Sequence, residues 1–363
     1  MKKSPLLAFA ASLALSGCVF DSSTTNSGSK DATGSKVFVL GTQYSDAGGI
    51  AALDRVVGDT AISKAVLNLT TSDAVLDRDS ANGILYVLDR SKGTVTGRKA
   101  SDLSQVVLDA SVGGDANPYA VARLSGKLWV ACYGSQYLKA LDVSTQKLVD
   151  SIDLSAYADT KDTQSVPQTF AMHAWNGKIA VVLGRLKGWK PGDSSLVLVV
   201  DPSTRQVTRR IALPWKNAYS ADWSGDRLLV GCTGAWTTDD YSAMVLDGGV
   251  ALVDLAAGTV RGLATEQDAG GNIAAVAFGP SGSAYVSISD ASYANSVRTL
   301  DLSSGALGAK VSGSASVSSM AWSGSTLWMG TESSTLLRAT ASGTVLDTLQ
   351  TTLPPTALVL LPE

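Results

Sequence analysis

The sequence predicts an all-β fold, a seven-bladed β-propeller of four-stranded antiparallel blades, and three observations carry that expectation. A unit of roughly 45 residues recurs along most of the chain, the mark of an array of similar supersecondary pieces. Within each unit, short alternating apolar segments are separated by tight Gly-containing turns, which is strand rather than helix patterning. The first unit lacks an opening strand, whereas Thr356-Ala357-Leu358-Val359-Leu360-Leu361 is an apolar strand left over at the C-terminus. Pairing the two would remove an exposed sheet edge and close a ring.

The third unit shows the pattern most clearly. Asn117-Pro118-Tyr119-Ala120-Val121-Ala122-Arg123-Leu124 reads as a first strand and Ser125-Gly126 as its turn. Lys127-Leu128-Trp129-Val130-Ala131-Cys132 follows, then Tyr137-Leu138-Lys139-Ala140-Leu141-Asp142-Val143, then Lys147-Leu148-Val149-Asp150-Ser151-Ile152. The second strand recurs with anchors at Phe38, Tyr86, Trp129, Ala180, Leu229, Tyr285 and Trp328. Turns such as Asn82-Gly83, Asn176-Gly177 and Ser281-Gly282 precede it, residues that tolerate positive φ in hairpins. The third strand ends on an apolar-Asp pair at Leu53-Asp54, Leu141-Asp142, Val200-Asp201, Val253-Asp254 and Leu300-Asp301. Each Asp is expected to accept hydrogen bonds from its own turn. Six or eight blades are the alternatives if the long fourth and fifth units divide differently.

This repeat resembles the YVTN-type propeller repeat and the YncE-like group of exported propellers, over nearly all of the chain after residue 35. The Tyr-Val-Thr-Asn tetrad itself is replaced by Leu85-Tyr86-Val87-Leu88 or Leu128-Trp129-Val130-Ala131. The resemblance therefore implies the fold rather than a family function.

At the N-terminus, Lys2 and Lys3 precede an apolar run over residues 6–15, which reads as an export signal too short to span a bilayer. Leu15-Ser16-Gly17-Cys18 resembles the lipobox of bacterial lipoproteins. That resemblance implies a signal peptide over residues 1–17, cleavage before Cys18 and lipidation of Cys18. It also implies the outer membrane, because Val19 stands where an inner-membrane retention Asp would be. Residues 18–35 form a Ser/Thr/Gly-rich tether, too polar to fold, and residues 36–363 the propeller. A formal net charge of -3 gives no footprint for nucleic acid. The chain is expected to be monomeric and to need no cofactor.

In a propeller blade, the loops between second and third strands share one face with the blade-to-blade links. Here those segments are long and the opposite turns short, which points to binding on the long-loop face. The ligand-binding candidates gathered there are Tyr44, Tyr133, Tyr137, Trp189, Trp236, Asp239, Asp240, Tyr241 and Tyr293, aromatic rings beside carboxylates that suit a sugar or a protein hot spot. Asp46, Tyr119, Lys190, Trp215, Tyr219 and Asp290 share the face. Trp175, Trp223 and Trp322 each sit two residues before a turn Gly and read as blade-to-blade packing.

Catalytic candidates are few. His173 is the single histidine, read as a packed inner-strand residue at a position equivalent to Ala122, Ala221 and Met320. Cys132 and Cys232 occupy equivalent slots in separate blades, too far apart to bridge, and should be buried free thiols. Asp239-Asp240 with Asp247 offers oxygen ligands for calcium but no recognised spacing, so a metal site is undefined. Two functional readings follow: a non-catalytic envelope protein binding a protein partner or polysaccharide through its long loops, or a propeller-type lyase, hydrolase or lactonase acting at the channel mouth.

Overall fold

The computed structural model describes residues 19–21, 36–43, 49–58, 60–188, 190–239, 243–313 and 315–361. Seven antiparallel blades follow one another along the chain, each built of four strands running from the channel outward. Pro355–Leu361 forms the inner strand of the first blade, antiparallel to Lys36–Gln43, with Lys36 opposite Leu361 and Val39 opposite Leu358. The leftover apolar segment thus closes the ring as its pattern required. Val19–Asp21 pairs in parallel with the inner strand of the fifth blade, Val19 opposite Ala221.

The core lies between blades. Anchors Phe38, Tyr86, Trp129, Ala180, Leu229 and Tyr285 are buried, because the middle strands of each sheet have both faces covered by neighbouring blades. The outermost strands alternate exposed and half-buried, as in Ala61–Leu69. Glycine is required at points where neighbouring blades meet. A Cβ on Gly330 would lie 2.4 Å from Ser319 Oγ of its own blade and 2.5 Å from Pro355 Cβ across the seam that the C-terminal strand closes.

Two inner-strand aspartates staple consecutive blades, and nothing in the repeat pattern announced them. Asp77 accepts from Arg78 N at 2.7 Å and from Val121 N of the next blade at 2.6 Å. Asp222 does the same with Trp223 N at 2.8 Å and Phe278 N at 2.6 Å. Arg209 and Arg261 tie the outer strands in a similar way, each donating to two carbonyls in the turn of the following blade.

Three expectations are corrected here. Asp54 is not a turn residue. Its strand, Ile50–Val57, runs on past it, and a bulge turns the buried carboxylate onto Ala65 N and onto Thr352 N and Oγ1, each at 2.6 Å. The other four, Asp142, Asp201, Asp254 and Asp301, do cap their own turns.

The tryptophans all meet a neighbouring blade, as expected, but register breaks their equivalence. Trp223 and Trp322 pair with Leu228 and Leu327, but Trp175 pairs with Lys178, the residue beside its turn. The turn glycine is the second turn residue in the fourth blade and the first in the fifth and seventh, so counting from it slips by one. A one-residue slip in a strand sends the side chain to the other face. Trp223 accordingly faces the preceding blade, stacked on His173 with ring centroids 5.2 Å apart, and Trp322 faces Tyr285 of its preceding blade. Trp175 faces the following blade, its Nε1 donating to Asp226 Oδ1 at 2.8 Å.

The same slip changes the equivalents of His173. It pairs with Ala180 and so matches Asp222, which pairs with Leu229, rather than Ala221. It remains an inner-strand residue, half-buried.

Candidate functional site at the channel mouth

The inner strands share an irregularity at their long-loop ends. In six of the seven blades the register with the second strand shifts there, leaving one residue unpaired. Those residues are Tyr119, Phe170, Tyr219, Ala274, Ser318 and Thr356 in blade order from the third, ending in the first. Only the second blade, Ala74–Asp79, keeps full register. A bulge bends its strand and re-aims a side chain, so the device turns these residues out of the blade ladder at the mouth. One half of the ring therefore carries aromatic rings and the other half small side chains.

Three of the bulges are preceded by a polar residue with positive φ: Asn117 at 50°, Gln168 at 51° and Asn217 at 52°. Their carbonyls accept from Tyr133 N, Gly184 N and Thr233 N at 2.9, 2.9 and 3.0 Å, locking the start of each loop. Asp73 O does the same for Arg90 N at 2.9 Å.

On the aromatic half, side chains from separate blades converge. Tyr119 packs against Tyr133 with ring centroids 5.0 Å apart, and the guanidinium of Arg90 lies 4.7 Å from the Tyr119 centroid. Arg90 also donates to the Tyr119 hydroxyl and forms an ion pair with Asp73. Burial raises the Tyr119 hydroxyl well above the ordinary tyrosine value, opposed by Arg90 and reinforced by Tyr133, Tyr219 and Asp73. Burial likewise pushes Tyr133 up to about 12. Both phenols are neutral donors at any physiological pH. Tyr219 meets Trp236 edge-on at 6.1 Å, and the Trp236 Nε1 is enclosed without a hydrogen-bond partner.

The loops that carry these rings are built rigidly. In the fifth blade, residues 233–239 and 243–248 are held by Asn217 Nδ2 on Gly234 O at 2.9 Å, by Asn272 Nδ2 on Val245 O at 2.6 Å and by the Thr237–Met244 bridge. Asp247 Oδ1 accepts from Ala235 N at 2.8 Å. Glu266, fully buried in the link to the sixth blade, accepts from Gly248 N at 2.9 Å and Ile273 N at 2.8 Å. Burial pushes its carboxyl up to about 7. In the fourth blade, buried Arg185 donates to Tyr157 O, Ala158 O, Ser194 O and Asp193 Oδ2, binding the loop to the preceding link. Burial lowers its affinity for a proton, with Asp193 and Asp159 opposing that effect. Lys190 Nζ and Asp239 Oδ1, 2.7 Å apart and both exposed, join the fourth- and fifth-blade loops.

Of the residues singled out from sequence, Tyr133 and Trp236 enter this cluster and Asp239 lies on the loop above it. Tyr137 begins the third strand of its blade, half-buried, with its amide on Ser135 Oγ. Tyr293 stands 59 % exposed on the sixth-blade loop, at φ 63°. Tyr44, Trp189, Asp240 and Tyr241, together with Cys18, lie outside the described residues. Among the described residues no three His, Cys, Asp or Glu side chains are grouped to hold a metal ion. Cys132 and Cys232 are buried and unbridged; burial pushes the Cys132 thiol up to about 12 and raises Cys232 too. Trp215 is packed over Gly249 and Gly262 of the fifth blade, a structural role.

Arg90, Asp73 and Phe170 were not singled out from sequence. The repeated trio Asn117-Pro118-Tyr119, Gln168-Thr169-Phe170 and Asn217-Ala218-Tyr219 was the available signal: a polar residue able to take positive φ, two places before an aromatic one.

No protein-family model matches the chain, and no curated protein matches it. Solved structures do. Hydrazine synthase of Kuenenia stuttgartiensis aligns with a TM-score of 0.57 at 14% identity, over 78% of this chain and 88% of that one. AztD of Citrobacter koseri aligns with a TM-score of 0.56 at 14% identity, over 91% of this chain and 98% of that one. The computationally designed Ika8 protein aligns with a TM-score of 0.56 at 13% identity, over 88% and 89%. At such identities the likeness is one of fold.

Proposed function

We propose that this chain is a non-catalytic binding protein of the bacterial cell envelope, anchored through a lipidated Cys18, whose long-loop face holds a polysaccharide at the channel mouth. The observation that carries the reading is the two ring pairs at the mouth, Tyr119 with Tyr133 on the third blade and Tyr219 with Trp236 on the fifth, beside loops that are pinned in advance, with Tyr219 near enough to Tyr119 to help raise its hydroxyl. The half-buried rings of Tyr133, Tyr219 and Trp236, fixed before binding, offer apolar stacking area at little entropic cost, with buried Tyr119 packed against Tyr133 as support and the phenols as the polar handles. The Arg90 charge is already matched by Asp73, which favours a hydroxyl-rich ligand over a strongly anionic one.

A glycan array probed with the full-length protein in detergent tests this reading. A saccharide bound by the wild type and lost in Trp236→Ala, with unchanged melting temperature, supports it. Binding that survives both Trp236→Ala and Tyr219→Ala refutes the site. Lipidation is tested separately: Cys18→Ser should release the protein from membranes, and unchanged membrane association would refute the anchor.

A protein partner is the second reading, favoured by the exposed Tyr293 and Ile50 on the same face, 59 % and 54 % exposed. An enzyme of the lyase, hydrolase or lactonase kind would need acid-base groups at the mouth. Among the described residues, the titratable groups of the aromatic cluster are the Arg90–Asp73 ion pair and phenols raised by burial.

A further inference from the structure

The opposite, short-turn face carries a crevice lined by the fourth blade on its side toward the fifth, separate from the channel mouth. Its volume is about 210 Å³, and it is lined by Trp175, Asn176, Lys178, Val199, Thr208 and Arg209. The register slip described above creates it. Trp175, unlike Trp223 and Trp322, faces forward, so its half-buried indole, packed against the core on one side, stands at the crevice edge on the other. The bond from Nε1 to Asp226 Oδ1 fixes the plane of the ring. Val199, 2 % exposed, forms an apolar floor.

The polar edge is made of donors. Lys178 Nζ contacts Thr208 Oγ1 at 3.3 Å and retains further N–H groups. Arg209 uses its Nη1 on Leu255 O and Ala256 O, which leaves the Nε and Nη2 edge of the fork. No carboxylate is among the lining residues; Asp226, which accepts from the indole, and Asp201, which accepts from Ser203 in its own turn and keeps its charge, lie outside the lining. The hydrogen bonds from that turn, together with Lys178, hold Asp201 below the usual carboxylate range. Two cationic donors beside one fixed aromatic wall, in a space smaller than a typical drug pocket, match a single acidic sugar ring.

We infer that this crevice binds a uronic-acid residue, with the pyranose ring against Trp175 and the carboxylate on Lys178 and Arg209. The inference stands independently of the ligand at the channel mouth, because the two sites lie on opposite faces.

Isothermal titration of the full-length protein with oligogalacturonate tests it, using Trp175→Leu, Lys178→Met and Trp236→Ala as variants and glucose oligomers and inorganic phosphate as comparison ligands. The expected result is saturable, salt-sensitive oligogalacturonate binding, weakened by about tenfold or more in Trp175→Leu and in Lys178→Met, with glucose oligomers similarly weaker. Trp236→Ala should leave this binding unchanged, whatever it does at the mouth. Lys178→Met, a substitution at a half-buried surface position, keeps the test valid if Trp175→Leu proves unstable. Wild-type affinity in a folded Lys178→Met variant, or no heat at millimolar uronate, would overturn the assignment. Phosphate competing as well as the uronate would overturn it as well, by showing a simple anion site.

Discussion

Glu266 couples the stability of the site to pH, and the coupling can be worked through from its surroundings. The carboxyl is fully buried, receives hydrogen bonds from Gly248 N and Ile273 N, and is raised from an ordinary value near 4.5 to about 7. Burial is the dominant cause; the two backbone donors and Asn272 oppose it, and Asp247 adds to it. Buried Cys232, whose thiol is itself raised by Glu266, is the other titratable neighbour. Between pH values of 4.5 and 7 the folded protein keeps a proton that the unfolded chain gives up. Folding stability therefore falls as pH rises through that window. The fall is about 3 kcal/mol in all, because holding one extra proton in the folded state changes stability by ~1.4 kcal/mol for every pH step of one. Below the window and above it this group contributes no slope.

Urea unfolding of the wild type and of Glu266→Gln across that range measures the effect. The variant cannot accept from both backbone amides, so a loss of about 1–3 kcal/mol at acid pH is expected. The informative quantity is the difference between the two curves, in which the other titrating groups cancel. The wild-type advantage should shrink by about 3 kcal/mol from the acid to the alkaline end. A difference that stays flat with pH would refute the account of Glu266 as a buried, protonated carboxyl.

Three other outcomes follow from the fold. Asp222→Ala removes the acceptor of Trp223 N and Phe278 N and should cost about 2–5 kcal/mol in denaturant unfolding, because two buried amides lose their partner. Gly330→Ala should cost about 1–3 kcal/mol by the same measurement, since its new methyl group meets Ser319 and Pro355 at the closing seam. Cys132 and Cys232 should resist a thiol reagent in the folded protein and react only on denaturation; rapid labelling of the native state would contradict their burial.

The ring was legible because one physical demand is repeated seven times. Each blade needs an apolar middle strand and a tight turn, and the pattern around Phe38, Tyr86 and Trp129 survives divergence at every other position. Closure was legible from the mismatch between a first unit missing a strand and the surplus Thr356–Leu361 sequence, of which Ala357–Leu361 now pairs with residues 36–40. Features that depend on register were not. The turn glycine looked like a fixed ruler, but it occupies different turn positions in the fourth and fifth blades, so Trp175 was grouped with Trp223 although the two face opposite ways. Asp54 shares its apolar-Asp signature with Asp142, yet a bulge carries its strand onward and gives the carboxylate other partners. The mouth was half visible: Tyr133 and Trp236 stand out as loop aromatics, whereas Arg90 and Asp73 belong to a short, ordinary-looking unit. They matter only because the neighbouring bulge brings Tyr119 onto them.

The central claim, that the long-loop face holds a saccharide between the third and fifth blades, is tested most directly by amide hydrogen exchange with and without the best-binding glycan from the array. Slowed exchange confined to residues 117–133 and 217–238, abolished in Trp236→Ala, is the predicted result. Protection located on other blades, or on the short-turn face alone, would contradict the placement of the site at the channel mouth.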